Sequence, residues 1–424
     1  MKVFKFGGAS VNSVERVKNV GEILRRFPDE KILVVVSAMG KTTNALEKVV
    51  NAFFAGQKDE TLQLFEQVKQ QHLSTAKYLL VTHYLPCEQQ LKDFFTEVEW
   101  LLHDKPVRDY DYYYDQVVSI GELLSTAIVS AYLTEAGITN TWMDVRDIFR
   151  TDDDFRDANI AWEYTSSKVL SLVVPQFKAT NIILTQGFIG STDENESTTL
   201  GREGSDYSAA VFANMLDAES QTIWKDVEAV MNADPKQFPD AISIAELNYN
   251  EVIEMAYYGA QVIHPKTIKP LQNKNIPLYV KCFLDPDLPG TVIHNKPVHQ
   301  LPPIIVLKEK QVMMQMSSRD FSFIGEQHVG HLYHLFEKLH LKPNLTQNGA
   351  ISFVCVLDEW TEKIEKLAME ASAFLDVQVS KGLSLLTIRH YNKEIFEKLT
   401  EGKHILLRQQ TPETIQVLLT ENSK

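Results

Sequence analysis

Apolar residues follow two patterns over the first three hundred positions. Short continuous runs, of which Ile32-Leu33-Val34-Val35-Val36 is the purest, alternate with longer stretches whose apolar residues recur every three or four positions. Continuous runs suit strands covered on both faces of a sheet. They predict strands over Val3–Phe6, Ile32–Ser37, Thr141–Val145, Asn181–Phe188, Thr222–Asp226 and Leu278–Phe283. The spaced stretches predict helices over Val14–Arg26, Leu91–His103, Ser119–Ala136, Ser205–Leu216 and Asn250–Gln261. Such alternation predicts an α/β fold, a three-layer αβα sandwich around a mostly parallel sheet. The polar, helical stretch from Asn51 to Asp109 reads as an excursion from the sheet layer.

Pro286, Pro289, Pro297, Pro302 and Pro303 crowd the following segment and mark a boundary. Beyond it the chain restarts with short strands at Ile304–Leu307, Val312–Met316, Ile351–Leu357, Val377–Val379, Leu383–Ile388, His404–Leu407 and Ile415–Leu419. Helical patterns at Gly330–Leu339, Thr361–Phe374 and Lys393–Leu399 lie between them. The reading is one domain over 1–296 and a region over 297–424 made of two small α+β units, about 303–360 and 361–424.

Composition narrows the function classes. The chain has 424 residues, 44% hydrophobic and 23% charged, the balance of a soluble globular protein. A formal net charge of −14 argues against nucleic-acid and anionic-membrane partners. No uninterrupted apolar run reaches the roughly 18 residues of a membrane span, and no basic-then-apolar leader precedes the first strand, so the expected location is the cytoplasm. Cys87, Cys282 and Cys355 form no C-x-x-C pair, which predicts reduced, buried thiols.

Lys5-Phe6-Gly7-Gly8-Ala9-Ser10 joins the first strand to a helix. Adjacent glycines let backbone N–H groups approach an anion, and a lysine just before them makes that anion a phosphate. Gly40-Lys41-Thr42-Thr43 invites comparison with a P-loop, but the first glycine of that pattern would fall at Val35, inside a strand. Ser37, Gly40 and Thr43 still lie where ligands bind in open α/β sheets. The richest stretch is Thr198-Thr199-Leu200-Gly201-Arg202-Glu203-Gly204-Ser205-Asp206. Arg202 is a planar cation suited to a carboxylate, Ser205 a candidate helix cap, and Asp206 a carboxylate in a first helical turn.

These segments occur in order with Ser119-x-Gly121-Glu122, Trp224-Lys225-Asp226 with Asp234-Pro235, and Glu254-Met255-Ala256-x-x-Gly259-Ala260-x-Val262-x-His264-Pro265. Together they resemble the signatures of aspartate kinases, and the C-terminal region, best at Gln347–Phe353, resembles the paired ACT domains of that family. The resemblance implies an amino-acid kinase fold and phosphorylation of aspartate by ATP. It implies catalytic roles for Lys5 and Asp206, and substrate contacts from Thr43, Glu122, Arg202 and Ser205. Nucleotide contacts would come from Lys5, Gly7, Gly8, Ser37, Lys225, Asp226, Met231 and Lys236. It further implies Mg²⁺ held mainly by ATP, an effector such as lysine at Ser318, Asn344 and Thr346, and a homodimer through the ACT-like region.

The chain departs from the family pattern at several points. Glu203 replaces a usual glycine, Lys225 a usual threonine, Gln261 a common lysine, and Asn344 the aspartate of lysine-inhibited relatives. Two other readings stay open: a different carboxylate kinase of the same fold, and an amino-acid sensor without turnover. His264 reads as a structural residue at a helix end, since Pro265 follows it, and Tyr112-Tyr113-Tyr114 as packing or subunit contact.

Overall fold

A computed structural model describes residues 1–260 and 262–421. The departure at Gln261 therefore lies outside the described residues. The chain forms two compact units, one of residues 1–230, 243–253 and 262–298, the other of residues 231–242, 254–261 and 299–424.

The first unit is built on an eight-stranded sheet. In chain order its strands are β1 (Lys2–Phe6), β2 (Ile32–Val36), β3 (Asn140–Met143), β4 (Ile182–Gln186), β5 (Ser220–Lys225), β6 (Glu246–Asn248), β7 (Leu278–Cys282) and β8 (Thr291–His294). They lie in the order β6-β8-β7-β5-β1-β2-β4-β3, and every pairing but β7–β8 is parallel. All five residues of β2 are fully buried, as a covered parallel strand requires. β1 sits where the strand order reverses, with Lys5 opposite Val35 of β2 and Ile223 of β5. That switch point is where open α/β sheets bind ligands, beyond the carboxyl ends of the strands.

Six helices follow one another in the first part of this unit: α1 (Val14–Arg25), α2 (Thr42–Phe54), α3 (Lys58–Leu79), α4 (Tyr84–His103), α5 (Tyr110–Val118) and α6 (Ile120–Glu135). α2 to α5 form the expected helical excursion. The stretch Tyr110–Glu135 is long and apolar enough by composition to cross a bilayer, but 78% of its most apolar window is buried in the protein. α7 (Gly204–Met215) packs on β1, and α8 (Tyr249–Tyr258) and α9 (Pro265–Lys274) come later.

Three elements were not legible in the hydrophobic pattern. β6 and β8 have three and four residues, and β8 lies inside the proline-rich segment read as a boundary. The polar segment before Leu200 contributes a hairpin, Ile189–Ser191 with Ser197–Thr199. Its hydroxyl side chains are buried without any apolar alternation to betray them. The three cysteines are free and buried, and burial pushes the Cys87 and Cys355 thiols up to about 12.

The second unit carries a six-stranded antiparallel sheet of β9 (Ile304–Ser317), β10 (Leu345–Asn348), β11 (Ser352–Asp358), β12 (Asp376–Arg389), β13 (Lys403–Gln410) and β14 (Thr414–Glu421). β9 and β12 are each 14 residues long and pair along nearly their whole length, with register shifts between Lys308 and Met313. Each merges two of the short strands expected from sequence. Helices α10 (Glu326–Lys338) and α11 (Thr361–Ala371) cover one half of the sheet over Val312, Met314, Met316, Phe353 and Leu357. Ile305, Leu386, Ile388, Ile415 and Val417 form a separate core in the other half, against α12 (Lys393–Thr400).

Candidate active site

Strand β1 delivers Lys5 to the carboxyl end of the sheet. There its Nζ lies 2.6 Å from Asp206 Oδ1, and both side chains are almost wholly buried. Burial alone would raise the Asp206 carboxyl. The charges of Lys5 and Lys225 outweigh it and hold the group below the usual carboxylate range. Asp206 is in the first turn of α7, where a negative charge is also favoured by the helix dipole.

The glycine loop after β1 folds into one 3-10 turn, Gly8–Val11, before α1 begins behind the Ser13 cap. It interlocks with the loop after β2. The Gly40 N–H donates to the Gly8 carbonyl at 2.9 Å, and the Ser37 N–H donates to the Phe6 carbonyl at 3.1 Å. A Cβ on Gly8 would lie 2.5 Å from the Ala38 carbonyl oxygen, so no side chain fits there. Gly7 stands next to the Lys5 ammonium, since a Cβ on it would lie 3.5 Å from Nζ. Thr43 is half-buried in the first turn of α2.

Glu122 is in the first turn of α6 and only 2% exposed. Its Oε1 accepts the Ala38 N–H at 3.3 Å, while Oε2 has no hydrogen-bond partner in the protein. Burial pushes its carboxyl up to about 8; the N–H groups of Ala38 and Glu122 and the Lys5 charge pull the other way. A buried carboxylate oxygen without a donor marks a place made for one.

The turn that presents Arg202 is held on three sides. Gly201 has φ +74 and its Cβ position is occupied by Asp157 Oδ1, 2.5 Å away. Lys266 donates to the Leu200 carbonyl at 3.1 Å. Glu203 has φ +53, and its Oε2 accepts the His264 N–H at 3.0 Å. The left-handed backbone at position 203 gives the usual family glycine a physical reason. Glutamate there costs about 1 kcal/mol or more of backbone strain and ties its carboxylate to the start of α9. Arg202 itself is exposed, with no ion pair among the described residues. Ser205 is buried inside the first turn of α7 and does not cap it; the cap position belongs to Glu203. His264 caps α9 by accepting the Lys266 N–H at Nδ1, as its position before Pro265 implies.

Lys225, at the end of β5, donates to the Val262 carbonyl at 2.7 Å. Asp226 is exposed and paired with Arg16 at 2.7 Å. Met231 and Lys236 belong to the second unit. The structure thus gathers Lys5, Gly7, Gly8, Ser37, Asp206 and Lys225 around the end of the central strands.

In the second unit the three expected effector residues have different partners. Asn344 is consumed by a network: its Nδ2 donates to Gln311 and Asp358, and its Oδ1 accepts from Lys308 at 2.7 Å. Ser318 Oγ donates to Asp320 at 2.8 Å. Thr346 alone of the three lines a polar cleft of 460 Å³ with Tyr333, Gln347, Asn348 and Arg408.

Two residues were missed in the sequence. Phe188 has φ +72, an outlier for an aromatic residue that only a fixed surrounding sustains. Its N–H donates to Ser208 Oγ and its carbonyl accepts the Leu200 N–H at 2.8 Å. Propensity gives no signal for it, since the strain is tertiary. Asp115, fully buried on α5, accepts three hydrogen bonds, and burial pushes its carboxyl up to about 7. It passes in sequence for a polar residue on a helix.

No group of three or more His, Cys, Asp or Glu side chains suited to a metal ion occurs among the described residues.

Comparison with known proteins fits this geometry. Residues 1–282 match the Amino acid kinase family. The chain is 35% identical over 301 residues to the bifunctional aspartokinase/homoserine dehydrogenase 1 of Zea mays, a match covering 70% of the chain and 32% of that protein's length. It is 31% identical over 409 residues to aspartokinase 1 of Arabidopsis thaliana, covering 91% of the chain and 70% of the relative. Escherichia coli aspartokinase III, solved with lysine and aspartate, superposes with a TM-score of 0.80 at 26% identity, covering 99% of this chain and 95% of that one. The chain spans about a third of the bifunctional relative and between 64% and 86% of the monofunctional ones. It belongs to the amino acid kinase family and, within it, to the aspartokinases.

Proposed function

We propose that the chain transfers the γ-phosphoryl group of ATP to the side-chain carboxylate of L-aspartate. The product is 4-phospho-L-aspartate, at the first step toward lysine, threonine and methionine. The observation that carries this reading is the buried Lys5–Asp206 pair, 2.6 Å apart, at the end of the central strand beside two interlocked loops. An E. coli aspartokinase III structure with aspartate and ADP supports it, at 26% identity and a TM-score of 0.79.

Phosphoryl transfer leaves the protein mainly positioning and charge neutralisation. A carboxylate oxygen of aspartate attacks the γ-phosphorus while the bond to the β-phosphate bridging oxygen breaks. The nucleophile is ionised at neutral pH, so no base is needed. Lys5 places its ammonium where the transferring oxygens gather charge, and Asp206 fixes the direction of that ammonium. Glu122 receives the substrate ammonium, Arg202 grips a carboxylate in two-pronged fashion, and Thr43 and Ser205 add hydroxyls. N–H groups of Gly7 and Gly8, with Ser37 and Asp226, receive the nucleotide. Mg²⁺ is held by the nucleotide's phosphates and offsets their charge. The regulatory region, 297–424 with units of about 303–360 and 361–424, binds an amino-acid effector such as lysine, with Thr346, which lines the polar cleft, as its contact among the three expected residues. It also joins two copies as a homodimer, and the enzyme works in the cytoplasm.

The departures bear on the sensor reading. The Glu203 carboxylate is engaged by the His264 N–H, which favours turnover over the sensor reading. Lys225 adds to the larger effect of Lys5 in lowering the Asp206 carboxyl. Its ammonium has three donors, of which one goes to a neutral acceptor among the described residues, the Val262 carbonyl, and a phosphate oxygen would offer a charged acceptor to the others. Lys225→Ala should raise the KM for ATP about tenfold, the size of one lost charged contact, with the KM for aspartate steady. An unchanged KM for ATP discards this role.

The test of the function is a hydroxamate assay with ATP and L-aspartate, repeated with lysine, threonine and methionine added singly. Turnover with aspartate, lowered by one effector, is expected. Turnover only with another acid, or binding without turnover, overturns the proposal.

A further inference from the structure

Asp115 takes no part in the chemistry above, yet it is fully buried and engages two segments that flank the Arg202 turn. Its Oδ2 accepts the Thr199 N–H at 2.7 Å and the Arg156 N–H at 3.0 Å, and its Oδ1 accepts the Thr199 hydroxyl at 2.7 Å. Thr199 ends the hairpin strand three residues before Arg202, and its carbonyl accepts the Ala158 N–H at 3.0 Å. Arg156 has φ +74, and its guanidinium lies 4.5 Å from the Tyr114 ring and 2.9 Å from Asp111. The next residue, Asp157, fills the space beside Gly201. One carboxylate therefore ties the hairpin and the 151–158 loop to α5.

α5 runs into α6 after a break at Ser119, and Glu122 stands in the first turn of α6. Asp115 lies seven positions before Glu122 on one side and is bonded three positions before Arg202 on the other. We infer that Asp115 is a positioning residue for substrate selection: it fixes the distance between Glu122 and Arg202, and so selects a four-carbon over a five-carbon acidic amino acid. The inference rests on the assignment of Glu122 and Arg202 as the substrate's charge partners. Aspartate and glutamate differ by one methylene, which by itself discriminates only about 10- to 200-fold. Holding both charges against rigid backbone is how a site makes that difference count.

The experiment measures kcat and KM for L-aspartate, L-glutamate and ATP, with melting temperatures, in Asp115→Asn and Thr199→Val. Glu122→Gln and Arg202→Ala serve as controls. Asp115→Asn turns one acceptor into a donor facing N–H groups. It should raise the aspartate KM about tenfold, as a displacement well under 1 Å would. The preference for aspartate over glutamate should shrink about fivefold or more, with the KM for ATP within about twofold. Thr199→Val removes one hydrogen bond and should shift the same quantities about threefold. A lower melting temperature with unchanged KM values and unchanged preference overturns the inference. Should Asp115→Asn fail to fold, Thr199→Val decides by the same criterion. If both controls leave the aspartate KM unmoved, the charge-partner assignment falls and this inference with it. If they raise it while Asp115→Asn and Thr199→Val do not, only this inference falls.

Discussion

Lys5→Met should lower kcat by about 10²- to 10³-fold, the usual effect of removing one preorganised charge partner of a transition state. The methionine keeps most of the side chain's volume and removes the ammonium. It also strands Asp206, 4% exposed, without its partner. Breaking a buried pair from one side costs roughly 3–5 kcal/mol, so the melting temperature should fall as well. Adding Asp206→Asn to the same chain removes the stranded charge and should restore much of that stability without restoring turnover. The double variant thus separates loss of the phosphate-facing cation from damage to the fold. Turnover within about threefold of the parent in Lys5→Met, too small a change to assign to transition-state contacts, would remove the main support for the kinase reading.

The aspartate KM should titrate with Glu122. Burial pushes this carboxyl up to about 8, so at neutral pH and without substrate it is mostly protonated. The substrate's ammonium is attracted only by the ionised form. Below pH 8 each unit of acidification therefore weakens aspartate binding by up to about tenfold, and above it the affinity levels off. Between pH 8.5 and 6.5 the aspartate KM should rise about twentyfold while the KM for ATP changes far less. Glu122→Gln removes the charge at every pH. Its aspartate KM should be raised about 100-fold at pH 8.5, in the range for one member of a desolvated charge pair, and should no longer vary over this interval. A parent enzyme whose aspartate KM is flat from pH 6.5 to 8.5 would refute the assignment.

Much of this architecture could be read from the chain because its central strands are covered on both faces. Ile32–Val36 and Ile182–Gln186 are uninterrupted buried runs that belong to no other element type. The positions of Lys5, Gly7, Gly8 and Asp206 were legible for a related reason: local pattern puts the first three at a strand end and Asp206 at a helix start, where the structure has them. What escaped depends on tertiary contact. Ser197–Thr199 is buried through hydrogen bonds rather than apolar side chains, and β6 and β8 are too short for any periodicity. The left-handed backbone of Phe188 and Glu203 is imposed by neighbours far away in the chain. The division of β9 and β12 into four short strands has a similar origin. The irregularity between Lys308 and Met313 interrupts the alternation without ending the pairing.

Those two long strands constrain how the C-terminal region can come apart. The first segment of β9, Ile304–Lys308, pairs with the last segment of β12, while its later residues pair with the beginning of β12. Each half of the sheet therefore borrows its strands from the same two lengths of backbone, and neither half can be excised as an autonomous fragment. Cutting the chain after Ala371 would deprive Ile305 of Ile388 and Met314 of Val379 at once. The region should melt in a single cooperative step, and a distortion introduced at one end of β9 has an uninterrupted covalent route to the other.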